Sequence, residues 1–210
     1  MTTVNAASSA RQAKVSCLDL DNFVIASVGG QGGLLATKVL AAVLHRGGME
    51  VKTSEVHGMA QRGGSVISFV RRAPRVWSPV IDAGDADAIL GLELLEAARA
   101  LPYLRMGGVV VTSTQQITPV TVSTGQARYP ADLTERLRAS SGRTVLVPAG
   151  DIAAELGQPR VANVVCLGAL SVFTDQPADI WEQVIAAAVP ARTVALNLEA
   201  FRRGRAVSGM

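Results

Sequence analysis

The stretch FVIASVGGQGGLLATKVLAAV, residues 23–43, constrains the fold more than any other. An apolar run ends in four glycines within five residues and passes at once into a helical pattern. FVIASV is short, rich in β-branched residues and bounded by turn formers, which predicts a buried strand. LLATKVLAAVLHR carries its apolar residues at helical spacing. Glycines between a strand and a helix leave bare backbone where a ligand or another main chain must come close. The helix start adds unpaired N–H groups and the positive end of the helix dipole, which suit a phosphate or carboxylate. Gly29, Gly30, Gln31 and Gly32 are therefore candidate binding residues for an anion, with Gly33 completing the nest and Gln31 adding an amide that donates or accepts. A tight turn without a ligand would use the same glycines.

The dinucleotide fingerprint G-x-G-x-x-G fits SVGGQG (27–32) only with Ser27 at its first position, and Glu55 would supply the acid at the end of the second strand. An NAD(P)-binding, Rossmann-like dehydrogenase subunit thus stands as one alternative. No Gly-Lys-Ser/Thr follows the glycines, so the turn is not a P-loop.

The rest of the chain repeats the alternation. After the turn RGG, MEVKTSEV reads as a strand, and strand–helix–strand implies parallel pairing through a right-handed crossover. SVISFVRR and VWSPVI read as a hairpin-like pair. DADAILGLE reads as a strand, LLEAARALPYL as a helix, MGG as a turn and VVVTST as a strand. With less regularity the alternation continues through TPVTVST, the helix DLTERLRAS, the strand TVLVPA and the helix DIAAELGQ. RVANVVCLGALSVF, DIWEQVIAAAV and ARTVALNLEAFRRGRA read as helices. The expected fold is α/β: a three-layer, Rossmann-like arrangement with a mostly parallel mixed sheet and helices on both faces. Residues 1–21, polar and without apolar period, are expected to form a flexible arm, and residues 22–210 a single domain. With 49% hydrophobic residues in 210, that domain has material for a real core.

Composition excludes several functions. The formal charge is only +3 and the arginines scatter, which argues against nucleic acid. Aromatics make up 4%, too few for base-stacking platforms. Cys17 and Cys166 stand far apart, and His45 and His57 complete no familiar zinc spacing with them. Two thiols cannot hold an iron–sulfur cluster that takes four. No apolar run reaches membrane-spanning length and no secretory signal is visible, so a cytoplasmic location is expected.

A second unusual stretch is SEVHGMAQRGGSVIS (54–68), where several chemistries crowd a glycine-bounded loop. Glu55, His57 and Arg62 are candidate catalytic residues: His57 to move a proton, Arg62 to clamp an anion bidentately, Glu55 to orient either. An exposed crossover loop held by local bonds would look the same. Asp82, Asp85 and Asp87 read as a turn rather than a metal loop, and no metal site is expected. Glu93 and Glu96 suit the positive end of a helix. Arg71, Arg72 and Arg75 read as a solvated basic face.

Taken together, VGGQGGLLATKVLA and KTSEVHGMAQRGGSV resemble the gamma-type domain of the 2-oxoacid:ferredoxin oxidoreductases, especially the small subunit of the indolepyruvate type. WSPVI, DADAILGLELLEAAR, LPYLRMGGVVV, ELGQPRVANVVCLGAL and VALNLEAFRRG extend the resemblance over roughly residues 22–204. It implies a subunit of an enzyme that oxidatively decarboxylates arylpyruvates to arylacetyl-CoA, inactive alone. It further implies that thiamine diphosphate, magnesium and iron–sulfur clusters reside in a large partner subunit, that ferredoxin is reached through that subunit, and that coenzyme A is the co-substrate. By the same resemblance Gly29, Gly30, Gln31 and Gly32 would approach coenzyme A or the partner's backbone. Glu55, His57, Gly58, Met59, Gln61, Arg62, Gly63 and Gly64 would face the large subunit near the reacting centre. A purely structural assembly subunit is the other alternative.

Overall fold

The computed structural model of the chain describes residues 20–58 and 63–209. Strand β1 (Asn22–Val28) is buried along its whole length. Its alternating side chains feed two separate cores: Phe23 and Ile25 on one side, Val24 and Ala26 on the other. Helix α1 (Gly33–His45) follows, with Ala36, Val39, Leu40, Val43 and Leu44 forming its buried stripe.

Five further strands complete the sheet: β2 (Glu50–His57), β3 (Ser65–Ala73), β4 (Ala86–Gly91), β5 (Leu104–Ser113) and β6 (Arg143–Val147). Their order is β2-β3-β1-β4-β5-β6. β1 pairs in parallel with β4, β4 with β5 and β5 with β6. β3 alone runs against its neighbours β1 and β2. The mixed, mostly parallel sheet agrees with the sequence expectation. The direct parallel pairing of the first two strands does not form. β2 and β3, consecutive in the chain, pair antiparallel as a hairpin, and the hairpin docks on β1 through its second strand.

Helices cover both faces. The first core holds α1, α5 (Ala149–Glu155), α6 (Ala162–Ser171), α7 (Ala178–Ala188) and α8 (Val194–Ser208). The second holds α2 (Leu94–Ala100) and α4 (Leu133–Ser140). α6 and α8 approach so closely that a Cβ on Gly168 would strike the Phe201 carbonyl, and one on Gly204 the Val165 carbonyl. Among the described residues no helix is long and apolar enough to cross a membrane.

Other expectations are corrected. VWSPVI forms no strand: Pro79 cannot donate to a ladder, and side chains satisfy the segment's backbone instead. Glu50 accepts from Val76 N–H at 2.7 Å, Lys52 donates to the Val76 carbonyl at 2.6 Å, and Arg71 donates to the Val80 carbonyl at 3.1 Å. TPVTVST, in a strand's place in the alternation, forms the short helix α3 (Val120–Ser123), started by Pro119. MGG is no separate turn but lies within β5, where the pairing register shifts. The arginines near the end of β3 are no common solvated face. Arg72 is buried, with Nε 2.9 Å from Asp21 and Nη1 2.8 Å from Asp175, while the Arg75 guanidinium lies 3.9 Å over the exposed Trp77 ring. Leu20 is buried and Asp21 ion-paired, so packing reaches into the end of the expected arm; residues 1–19 lie outside the described residues.

Candidate functional site

β1 is the point where the strand order reverses, since α1 leads outward to one edge while β4, β5 and β6 build towards the other. In open α/β sheets the crevice at the carboxyl ends of the strands at such a point is where ligands bind. Here the glycine turn lies over it. Gly30 and Gly32 take φ of 103° and 84°, in the left-handed region that favours glycine. Gly32 caps α1 without any side-chain hydrogen bond, and the first-turn N–H groups of a helix have no intrahelical partner. A Cβ on Gly32 would collide with Asn163, whose Nδ2 donates to the Gly32 carbonyl at 3.2 Å.

Two clefts flank the turn and share Gly30 and Gly32. The larger, about 390 Å³, is lined by these glycines with Gln31, Leu92, Gln115 and Arg160 among others. The smaller, about 340 Å³, lies on the β2–β3 side, where Val28, Leu34, Val66 and Glu55 contribute walls. The sides differ in charge. Arg160 brings a cation to the first, and Glu55 a carboxylate to the second.

The candidate residues fall into distinct positions. Gln31 turns inward: its Oε1 accepts from Val28 N–H at 2.8 Å, and its Nε2 donates to the Leu92 carbonyl at 3.0 Å and to Gln115 Oε1 at 3.3 Å. It staples the turn to the ends of β4 and β5. Ser27 is a buried strand residue rather than part of the turn, and Gly33 leaves the space its hydroxyl occupies. Glu55 reaches the second cleft, opposite Ser68 in the β2–β3 ladder. His57 is exposed at the end of β2, with Nδ1 3.1 Å from the Gly58 carbonyl oxygen, and lines neither cleft. Met59, Gln61 and Arg62 lie outside the described residues.

The two distinctive sequence stretches are bonded to each other. Gly29 N–H donates to the Gly64 carbonyl at 2.8 Å, and Gly63 N–H donates to the Gly29 carbonyl at 3.2 Å. The second motif thus returns to the foot of the first, because antiparallel β3 starts where β1 ends. Arg160 and Asn163 were missed by sequence reasoning. The one available signal was Pro159, which sets the short turn that aims them at the cleft.

Among the described residues metal-ligand chemistry is thin. Burial pushes the Cys166 thiol up to about 12, so it stays protonated where a cluster needs thiolate. Among the described residues no three His, Cys, Asp or Glu side chains group to hold a metal ion. Asp87 accepts from the N–H groups of Asp21 and Asn22, each at 2.9 Å, and from Arg105 at 2.6 Å, a structural use of the carboxylate.

The fold and this crevice define an open α/β subunit with a glycine turn at the switch point. A family model described as pyruvate ferredoxin/flavodoxin oxidoreductase matches residues 22–207, and the chain belongs to that family as a subunit of a 2-oxoacid:ferredoxin oxidoreductase. More particularly, the chain is similar to the indolepyruvate oxidoreductase subunit IorB of Thermococcus kodakarensis, 40% identical over 188 residues that span 87% of this chain and 93% of that one. IorB of Archaeoglobus fulgidus is 38% identical over 194 residues, 90% of this chain and 96% of that one. In fold it resembles the keto/oxoacid ferredoxin oxidoreductase gamma subunit of Geobacter sulfurreducens, with TM-score 0.66, 23% identity and coverage of 90% and 98%.

Proposed function

We propose that the chain is the small, non-redox subunit of an arylpyruvate:ferredoxin oxidoreductase of the indolepyruvate type, acting in the cytoplasm. The observation that carries this reading is the 40% identity to an IorB subunit across 93% of that subunit's length. The holoenzyme decarboxylates an aryl 2-oxoacid, passes two electrons to ferredoxin and yields arylacetyl-CoA. Thiamine diphosphate, magnesium and iron–sulfur clusters belong to the large subunit, which supplies the decarboxylation and electron transfer. This chain packs on that subunit and completes its active site.

The two sides of the glycine turn divide the work. On the Arg160 side, a guanidinium and the start of α1 suit a phosphate of coenzyme A. On the Glu55 side, the cleft and the exposed end of β2, with Glu55 and His57, meet the large subunit near the reacting centre. Arg62 is chemically suited to a substrate carboxylate.

Anaerobic co-expression of this chain with its candidate large subunit tests the reading. Arylpyruvate- and coenzyme A-dependent reduction of a low-potential dye is expected only from the mixture. Equal turnover by the large chain alone would remove the catalytic-subunit assignment. Turnover lost in Arg62→Ala with assembly intact is expected for a residue of the site, whereas lost assembly would mark a docking residue.

A further inference from the structure

Two carboxylates outside the clefts are nearly sealed from water: Glu93 is 1% exposed and Glu96 3%. Burying a carboxylate is costly unless its oxygens are bonded, and each of these oxygens has a partner. Glu93 Oε2 accepts from Glu96 N–H at 2.9 Å, capping α2. Its Oε1 accepts from the Tyr129 hydroxyl at 2.6 Å and from Ile117 N–H at 3.1 Å. Glu96 Oε1 accepts from Arg99 at 2.6 Å. The remaining oxygen, Glu96 Oε2, accepts from the hydroxyl of Ser65.

Capping explains Glu93, and an exposed arginine one helical turn away asks little of Glu96. Neither explains the bond to Ser65. Ser65 is an exposed residue at the first position of β3, next to Gly64 and opposite Val28. Its hydroxyl ties the head of β3 to the start of α2. The connections close into a ring: Gly29 to Gly64, Ser65 to Glu96, Glu96 to Glu93, along the chain to Leu92, and from Leu92 through Gln31 back to the turn. Every wall the two clefts share belongs to that ring or adjoins it.

We propose that Glu96 is a positioning residue: acting through the Ser65 hydroxyl, it fixes the head of β3 and thereby the geometry of the glycine turn that both clefts use. The inference rests on the reading that the turn meets coenzyme A. Glu96 lines neither cleft. Without its bond, Gly63 and Gly64 are held to Gly29 by two backbone bonds beyond the Val28–Ser65 end of the β1–β3 ladder, beside the positive-φ Gly30 and Gly63, and the turn gains freedom at Gly30.

The test uses Ser65→Ala in the assembled enzyme. It removes one exposed hydroxyl and leaves Glu96 its charge and its Arg99 partner, so it disturbs the fold less than Glu96→Gln, at the cost of one unpaired buried oxygen. The expected result is a KM for coenzyme A raised about tenfold, the order of one lost hydrogen bond to a charged group, with the KM for arylpyruvate and the yield of complex unchanged. Ser65→Thr, which keeps the hydroxyl on a β-compatible side chain, restores the coenzyme A KM to within about twofold. A purely structural bond would lower the melting temperature and leave both the ratio of the two KM values and the amide exchange of the glycine turn as in the parent; that result overturns the proposal.

Amide exchange supplies an arm that does not depend on the substrate. In Ser65→Ala the Gly29 and Gly63 N–H groups exchange about tenfold faster than in the parent, while those of β4 and β5 do not change. Faster exchange without a KM effect would leave the positioning intact and sink the coenzyme A reading of the turn. Unchanged exchange would overturn the positioning itself.

Discussion

Glycine serves opposite ends at the crossing of α6 with α8 and at the turn after β1. At the crossing, Gly168 and Gly204 sit in ordinary helical backbone, and each is required because a carbonyl of the facing helix stands where its Cβ would be. In the turn, a Cβ on Gly30 would meet nothing within 4 Å, and glycine is required there by its φ of 103°. Packing density demands the first pair and backbone conformation the second. Gly32 belongs to both classes, with φ 84° and Asn163 in the way. Space left open beside a conformationally forced glycine is what a ligand or partner can use.

Substitutions break the comparison in a graded order. Gly204→Ala is expected to cost the most, roughly 3 kcal/mol or more, because a backbone carbonyl cannot move aside without separating two closely packed helices. Urea unfolding of the purified chain measures it, and a loss below about 1 kcal/mol would mean that the crossing is looser than described. Gly32→Ala follows at about 2–3 kcal/mol, combining left-handed strain with displacement of Asn163. Gly30→Ala carries strain alone, about 1–2 kcal/mol. If the turn meets coenzyme A, its KM defect exceeds what that stability loss would produce, which steady-state kinetics on the complex will show.

Cys166, in α6 beside the crossing, gives a gentler probe. Burial raises its folded pKa to about 12 against an unfolded value of about 8.5. The folded state therefore keeps a proton that the unfolded chain loses. Its contribution is fully present below the unfolded value and is lost as pH rises through that window. Denaturation midpoints should fall between about pH 9 and 11 on the order of the linkage relation, and Cys166→Ala should flatten that slope. The smallest expected effect on stability is that of Arg160→Ala, within about 0.5 kcal/mol for an exposed side chain, paired with a raised KM for coenzyme A.

The elements themselves were mostly legible. β1 and α1 follow from one apolar run, four glycines and a helical stripe, and the buried helices near the C-terminus follow from their texture. What failed did so for identifiable physical reasons. Strand–helix–strand reasoning pairs consecutive parallel strands, whereas here the hairpin docks by its later member and β3 takes the place beside β1. VWSPVI and TPVTVST have strand-like composition, but prolines and side-chain bonds decide their backbone. Arg72 looked solvated because Asp21 and Asp175 lie 51 and 103 residues away in sequence. The glycine turn and the polar loop were each singled out, yet their mutual bonding through Gly29, Gly63 and Gly64 depends on the antiparallel course of β3. Arg160 carries no motif and is found only by its place across the cleft.

That course of β3 also fixes how much of the chain must be present before the centre of the sheet can close. The β2–β3 hairpin closes locally, but the β1–β3 ladder must wait until the chain through α1 and the hairpin is complete, since Asn22 pairs with Arg71 and Val28 with Ser65. The bonds between Gly29 and Gly63–Gly64 prolong the same ladder. Closing the centre of the sheet and bringing the two motifs together therefore require the same strand, and a nascent chain that has not yet released β3 lacks both Gly29 bonds and the Val66 wall of the second cleft.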